Sequence, residues 1–212
     1  MTDKKLEILV VEDTPIHQEA ARRLLSEHNV QIVSTFDEAT DLLRIPLKWE
    51  GSIVQPVYDA VLTDMFLTQG QGRCLSPDMK HLAKEQMPFG YPIALMACQK
   101  GVPYVAIVSD ADHHSGPMAY SIDFFAKEYI DRKTIQQVGN SRLAVFNRRI
   151  KNWTYLGRDG KIVLEDPLRP SSQKIGEGAT LVKNWAEALD YVRNEAIHVP
   201  QRFAQTELNL KN

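Results

Sequence analysis

Cysteine is scarce in this chain: there are 2, Cys74 and Cys98, and they lack the spacing of a metal-ligand pair. Cys98 lies among Ala94, Leu95, Met96 and Ala97 and reads as a small core residue. No apolar run approaches the ~20 residues of a membrane-spanning helix. The run Leu6 to Val11 is too short for an export signal and lacks its small-residue cleavage pattern. Reduced thiols and a cytoplasmic location are therefore expected. An excess of one charge is also missing: 25 basic residues face 27 acidic ones, for a net charge of -2. That balance argues against a broad nucleic-acid footprint. The densest basic run, Arg148, Arg149 and Lys151, reads as solvated surface. Glycine-rich phosphate cradles are absent too, with neither G-x-G-x-x-G nor a Walker A sequence present. The turn Glu12-Asp13-Thr14-Pro15 puts negative charge where a dinucleotide's pyrophosphate would lie, which excludes a nucleotide-binding Rossmann site there.

What is present is an alternation of strands and helices. Ile8 to Val11 suits a parallel strand buried on both faces. Thr14 and Pro15 then open a helix with Ile16, Ala20, Leu24 and Leu25 at helical spacing, and Asn29 is a plausible stop. Val30 to Thr35 reads as a second strand, and Asp37 to Leu43 as a helix with Ala39, Leu42 and Leu43 inward. Residues 44–56 read as an irregular loop or helix extension, Val57 to Thr63 as the third strand, and 65–90 as a long glycine- and proline-punctuated segment. Pro92 to Lys100 reads as a helix, Val102 to Val108 as the fourth strand, Met118 to Ile130 as a helix and Arg142 to Phe146 as the fifth strand. A hairpin is signalled around Asp159-Gly160, between Trp153 to Leu156 and Lys161 to Glu165. Trp185 to Ala196 closes as a helix with Ala188, Leu189 and Val192 as its apolar stripe. The pattern implies an α/β fold with a mainly parallel sheet. The expected organisation is one domain over residues 1–199, with insertions at about 44–56, 65–90 and 147–178, and a tail over 200–212.

Functional groups of parallel α/β sheets gather at the carboxyl ends of the strands. Here those ends carry Glu12 and Asp13, then Asp64, then Ser109. Three carboxylates brought together repel, and a divalent cation relieves the repulsion; an all-oxygen set suits Mg²⁺. Taken singly, each has a plainer role: Glu12 and Asp13 favour a helix N-terminus, and Ser109 can be a turn hydroxyl.

Three segments carry a resemblance. Ile8-Leu9-Val10-Val11-Glu12-Asp13-Thr14-Pro15 resembles the opening of bacterial two-component response-regulator receiver domains. Tyr58-Asp59-Ala60-Val61-Leu62-Thr63-Asp64-Met65 resembles their third strand and phosphoacceptor, and Tyr104 to Ser109 their fourth strand and switch hydroxyl. The resemblance implies a flavodoxin-like, doubly wound, five-stranded parallel sheet of order 2-1-3-4-5, here with an inserted β-hairpin. It also implies that Asp64 accepts phosphoryl from a histidine kinase, a phosphotransfer protein or a small phosphodonor. Glu12, Asp13, Asp64 and the backbone carbonyl of Phe66 would hold Mg²⁺, and Ser109 would bond a phosphoryl oxygen. Output would pass to a downstream protein partner, with no membrane and no direct nucleic acid involved.

The chain departs from that pattern. A receiver carries a lysine at the end of its fifth strand, but Arg142 to Phe146 ends at Asn147. Lys183 could supply it in two ways: Ala179 to Val182 could be the edge strand, or the hairpin could be inserted before Lys183 while its side chain still reaches the pocket. Asn184 stands where the family has proline, the turn after Asp64 lacks the usual proline, and Asp110 follows Ser109. These departures keep open a pseudo-receiver that binds partners without phosphorylation. A metal-dependent phosphatase or hydrolase would draw on Asp110, Asp112, His113 and His114, but the adjacent histidines lack i, i+4 ligand geometry. Phe66, where a haloacid-dehalogenase-type phosphatase needs a second aspartate, counts against that reading.

Overall fold

The computed structural model describes residues 4–44, 48–50, 53–71, 77–110, 135–146, 153–157, 159, 161–163 and 179–194. β1 (Glu7–Val11) is buried from Ile8 onward. Pro15 opens α1 (Pro15–Leu24), at a position whose N–H would have no helical partner anyway. β2 (Asn29–Val33) and α2 (Phe36–Leu43) follow. A capping box starts α2: the Thr35 hydroxyl accepts from the Glu38 N–H, and the Glu38 carboxylate accepts from the Thr35 N–H. Next come β3 (Lys48–Glu50), β4 (Ile53–Gln55) and β5 (Ala60–Thr63), a 3₁₀ segment (Pro77–Lys84), α3 (Gly90–Gln99) and β6 (Tyr104–Val108). The chain continues with β7 (Ile135–Val138), β8 (Ser141–Phe146), β9 (Trp153–Leu156), β10 (Ile162–Val163), β11 (Thr180–Lys183) and α4 (Trp185–Asn194).

The central sheet has six strands in the order β2-β1-β5-β6-β8-β7. The first five pair in parallel, and β7 joins β8 antiparallel at the edge. This is a mixed α/β architecture compatible with a flavodoxin-like fold, but its strand count and order differ from the five-stranded expectation. The extra strand arises from a two-residue turn: Val138 pairs with Ser141, and Gly139 adopts φ +59. Glycine at the first central position is what a tight hairpin of this twist requires. Two further pieces differ from expectation. Residues 44–56 include the β3–β4 hairpin rather than a loop or helix extension alone. The predicted hairpin is part of a separate antiparallel sheet, β10-β9-β11, so Ala179 to Val182 is not an edge strand of the central sheet. The predicted helix Met118 to Ile130, the residues Cys74, Asp112, His113, His114, Arg148, Arg149 and Lys151, and the tail from 200 lie outside the described residues.

Alternate residues of the parallel strands enter two cores. Ile8, Val10, Leu62, Ala106 and Val108 face α1, α4 and the second sheet. Leu9, Val11, Val61, Val105 and Ile107 face α2 and α3. The stripe of α4 is as predicted, with Ala188, Leu189 and Val192 buried. In the predicted α1 stripe Ala20 and Leu25 are buried and Leu24 packs against the core, but Ile16 is exposed, and His17 and Ala21 are buried instead. Asn29 begins β2 instead of merely stopping the helix. Among the described residues, no helix is long and apolar enough to cross a membrane.

Candidate functional site

Strand register assembles the site. Val11 of β1 lies opposite Thr63 of β5, so the residues that follow them, Glu12 and Asp64, come side by side. The Asp64 N–H donates to the Val11 carbonyl at 2.8 Å, and the Glu12 N–H to that of Val33 at 2.9 Å. Glu12 continues the side-chain alternation of Val10, and Asp64 that of Leu62. Both carboxylates are thereby directed to the face that carries α1, α4 and the second sheet. Thr63 pairs with Ile107, which puts Ser109 at the neighbouring strand end. Ser109 is buried, and its N–H donates to the Phe146 carbonyl at 2.8 Å.

Lys183 reaches this point from the second sheet. It ends β11, is fully buried, and places Nζ 2.6 Å from Glu12 Oε2 and 2.9 Å from Asp64 Oδ1. The central sheet's fifth parallel strand, β8, supplies no such lysine; the cation comes from an element inserted after it. Burial of a cation and two carboxylates is costly unless each is paired and hydrogen-bonded. Backbone donors add to the pairing here: Glu12 Oε1 accepts from the Thr14 N–H at 2.9 Å, and Asp64 Oδ1, the oxygen that faces Lys183, also accepts from the Met65 N–H at 2.6 Å. Burial pushes the Asp64 carboxyl up to about 7; Lys183 opposes the shift, while Glu12 and Asp110 add to it. Burial also raises Glu12 against the pull of Lys183. For Lys183 burial acts downward, yet the attraction of Asp64, Glu12 and Asp110 prevails and holds it above the usual lysine value.

The third carboxylate, Asp13, is half-buried. One ligand oxygen from each of Glu12, Asp13 and Asp64 can be chosen so that all lie within 4.8 Å of one another, close enough to hold a metal ion. Asp13 Oδ1 accepts from the Thr14 hydroxyl at 3.4 Å, and Oδ2 from the Gln86 carboxamide at 3.2 Å. Phe66 follows Asp64 by two residues and packs against the second core. Asp110 is exposed at the rim.

Two contributors were missed from sequence. Gln86 touches Asp13 across 73 residues, and nothing local marks it. His17 is buried on α1, and its Nδ1 accepts from the Lys183 backbone N–H at 3.4 Å. Its carbonyl accepts from the Trp185 indole at 3.0 Å, and its ring meets Trp153 edge-on at 5.7 Å. Trp153, which opens the first strand of the predicted hairpin, is buried. The available signal for His17 was its i, i+3 and i, i+4 spacing to Ala20 and Ala21.

Gly90 sits against the turn that follows Asp64. Its N–H donates to the Met65 carbonyl at 2.9 Å, and a Cβ there would collide with the Asp64 carbonyl oxygen and approach Met65 Cα to 2.8 Å. Backbone cannot yield as a side-chain tip can. Gly90→Ala is expected to cost ~2 kcal/mol by overpacking and to disturb Asp64 locally. Urea unfolding together with amide shifts of residues 64–66 checks this; a wild-type midpoint would refute it.

No protein-family model matches the chain. No curated protein matches it either. Among solved structures, one similar chain is a fusion of the yeast Spc42 trimeric coiled coil to another structure, at 20% identity and a TM-score of 0.36, over 56% of this chain. The chain spans 61% of that one. A second is a mutant of the receiver domain of the histidine kinase CKI1 from Arabidopsis thaliana, at 21% identity and a TM-score of 0.36. That match covers 68% of this chain and 81% of the other. Likeness at this level carries no functional argument, so the reading rests on the site itself.

Proposed function

We propose that this domain is a phosphoacceptor receiver, taking a phosphoryl group on Asp64 with Mg²⁺ and signalling through protein contacts. The observation that supports it best is the buried Lys183 ammonium bridging Glu12 and Asp64 beside Asp13, at the carboxyl ends of parallel strands. The oxygen-only donor set fits Mg²⁺, held by Glu12, Asp13, Asp64 and the Phe66 carbonyl. When bound, the ion would neutralise charge on the transferring phosphoryl group. An Asp64 carboxylate oxygen attacks phosphorus in line. The bond from phosphorus to the donor's leaving atom breaks, a histidine nitrogen for a kinase or phosphotransfer protein and a carboxylate oxygen for acetyl phosphate. Lys183 then pairs with the phosphoryl oxygens and Ser109 donates a hydrogen bond to one of them.

One observation favours a second reading, a pseudo-receiver. Asp64 is only 3% exposed and already paired with a cation, so the site is neutralised from within. Intact-protein mass after incubation with acetyl phosphate and Mg²⁺ separates the two. A labile, Mg²⁺-dependent gain of one phosphoryl group, absent in Asp64→Ala, is the expected result. No gain in the wild type would sink the phosphoacceptor reading in favour of the pseudo-receiver.

A further inference from the structure

The described residues between β5 and α3, 64–71 and 77–89, are bonded to one another and to the start of α2. Leu67 and Met87 exchange backbone hydrogen bonds at 3.0 Å in both directions, and the Gln69 N–H donates to the Ala83 carbonyl at 3.1 Å. The Phe36 N–H donates to the Thr68 carbonyl at 3.0 Å, and the rings of Phe36 and Phe89 stack at 4.4 Å. Gln86 lies directly before the doubly bonded Met87, so its backbone is fixed by neighbours rather than by its own side chain. From there its carboxamide reaches Asp13 Oδ2 at 3.2 Å.

We propose that Gln86 is a positioning residue that holds Asp13 in the orientation a divalent cation requires, making the inserted segment one wall of the acidic site. The inference rests on reading that site as a Mg²⁺ site. Of the three carboxylates, Glu12 and Asp64 are fixed by Lys183 and by backbone N–H groups. Asp13 has only side-chain donors in the described contacts, the Thr14 hydroxyl at 3.4 Å and the Gln86 carboxamide. A neutral donor orients a carboxylate without cancelling its charge, so the charge stays available to the cation. Partners of this kind, one bond removed from the metal, change affinity by roughly 10- to 100-fold. Because Gln86 is exposed, the low end is expected.

The test is calorimetric titration with MgCl₂ of the full chain, comparing wild type, Gln86→Ala and Gln86→Met, with urea unfolding of each in EDTA. Gln86→Met keeps the reach and bulk but removes the donor. Mg²⁺ affinity about tenfold weaker in both variants, with metal-free stability unchanged, is the expected result. Affinity restored in Gln86→Met, or weakened only in step with lost metal-free stability, would assign the residue to packing and overturn the proposal. Wild-type affinity in both variants would overturn it while leaving the Mg²⁺ site intact. A wild-type chain that binds no Mg²⁺ would remove the underlying reading, and this inference with it.

Discussion

Replacing Lys183 by methionine is expected to lower the unfolding free energy by ~3–5 kcal/mol at pH 8 in metal-free buffer, the cost of removing one partner from a buried ion cluster. Methionine fills most of the lysine stem's volume, so little of the loss comes from a cavity. It comes from Glu12 and Asp64, 0% and 3% exposed, left facing each other without a cation. The pH dependence has a definite sign. Both carboxyls are already raised by burial, and losing Lys183 removes the influence that lowers them. A carboxyl raised in the native state binds more protons folded than unfolded. Its penalty is absent below the unfolded value near 4 and grows as pH rises through the folded value, which for Asp64 is about 7 even with the lysine present. The variant should therefore lie much closer to wild type at pH 5 than at pH 8. Added Mg²⁺ should recover part of the loss at pH 8, because a divalent cation replaces the missing charge. Urea unfolding at the two pH values, with and without MgCl₂, checks each statement. A deficit equal at pH 5 and pH 8 would mean that the lysine's charge is not what stabilises the site.

Lys183 also shows where sequence reasoning stops. The strand ends of β1, β5 and β6 were legible because each follows a continuous apolar run, and parallel pairing then aligns Glu12, Asp64 and Ser109 almost automatically. The four residues of β11 carry no mark of which sheet they join. Thr180-Leu181-Val182-Lys183 reads equally well as an edge strand of the central sheet or as one strand of a small antiparallel sheet. Only its register, with Lys183 opposite Trp153, decides between them. The β7 strand was missed for the opposite reason: Gln136 and Gln137 interrupt its apolar pattern, and the Gly139 turn is the stronger signal. The first inward position of α1 was misjudged because isoleucine outranks histidine on any hydrophobic scale. His17 nevertheless takes the inward position, where its ring has an aromatic neighbour and its nitrogen a donor. Gln86 was out of reach altogether, since its role depends on a ribbon that folds back across the site.

His17→Asn should expose that inward position through pH. Burial lowers the His17 imidazole from its usual 6.5 to about 4, the nearby Lys183 charge reinforces the shift, and Asp110 opposes it. The native ring therefore stays neutral, as its role as an acceptor for the Lys183 N–H requires. The unfolded chain takes up a proton below about 6.5, so between there and about 4 the unfolded state binds more protons than the native one. Stability is lost as pH falls through that window, by about 3 kcal/mol from this group alone. Glu12 and Asp64 give the opposite slope, since their native values are raised, and the wild-type curve shows only the balance. Comparing with His17→Asn cancels their contribution. Asparagine keeps an acceptor near the position of Nδ1 but does not titrate. At pH 7.5 it should be about 1 kcal/mol less stable than wild type, through one weakened hydrogen bond and the lost contact with Trp153. By pH 4.5 the order should reverse, with the variant the more stable of the two. Parallel stability curves from pH 7.5 to 4.5 would show that His17 takes up its proton without disturbing β11, and that Lys183 is held in the site by the carboxylates alone.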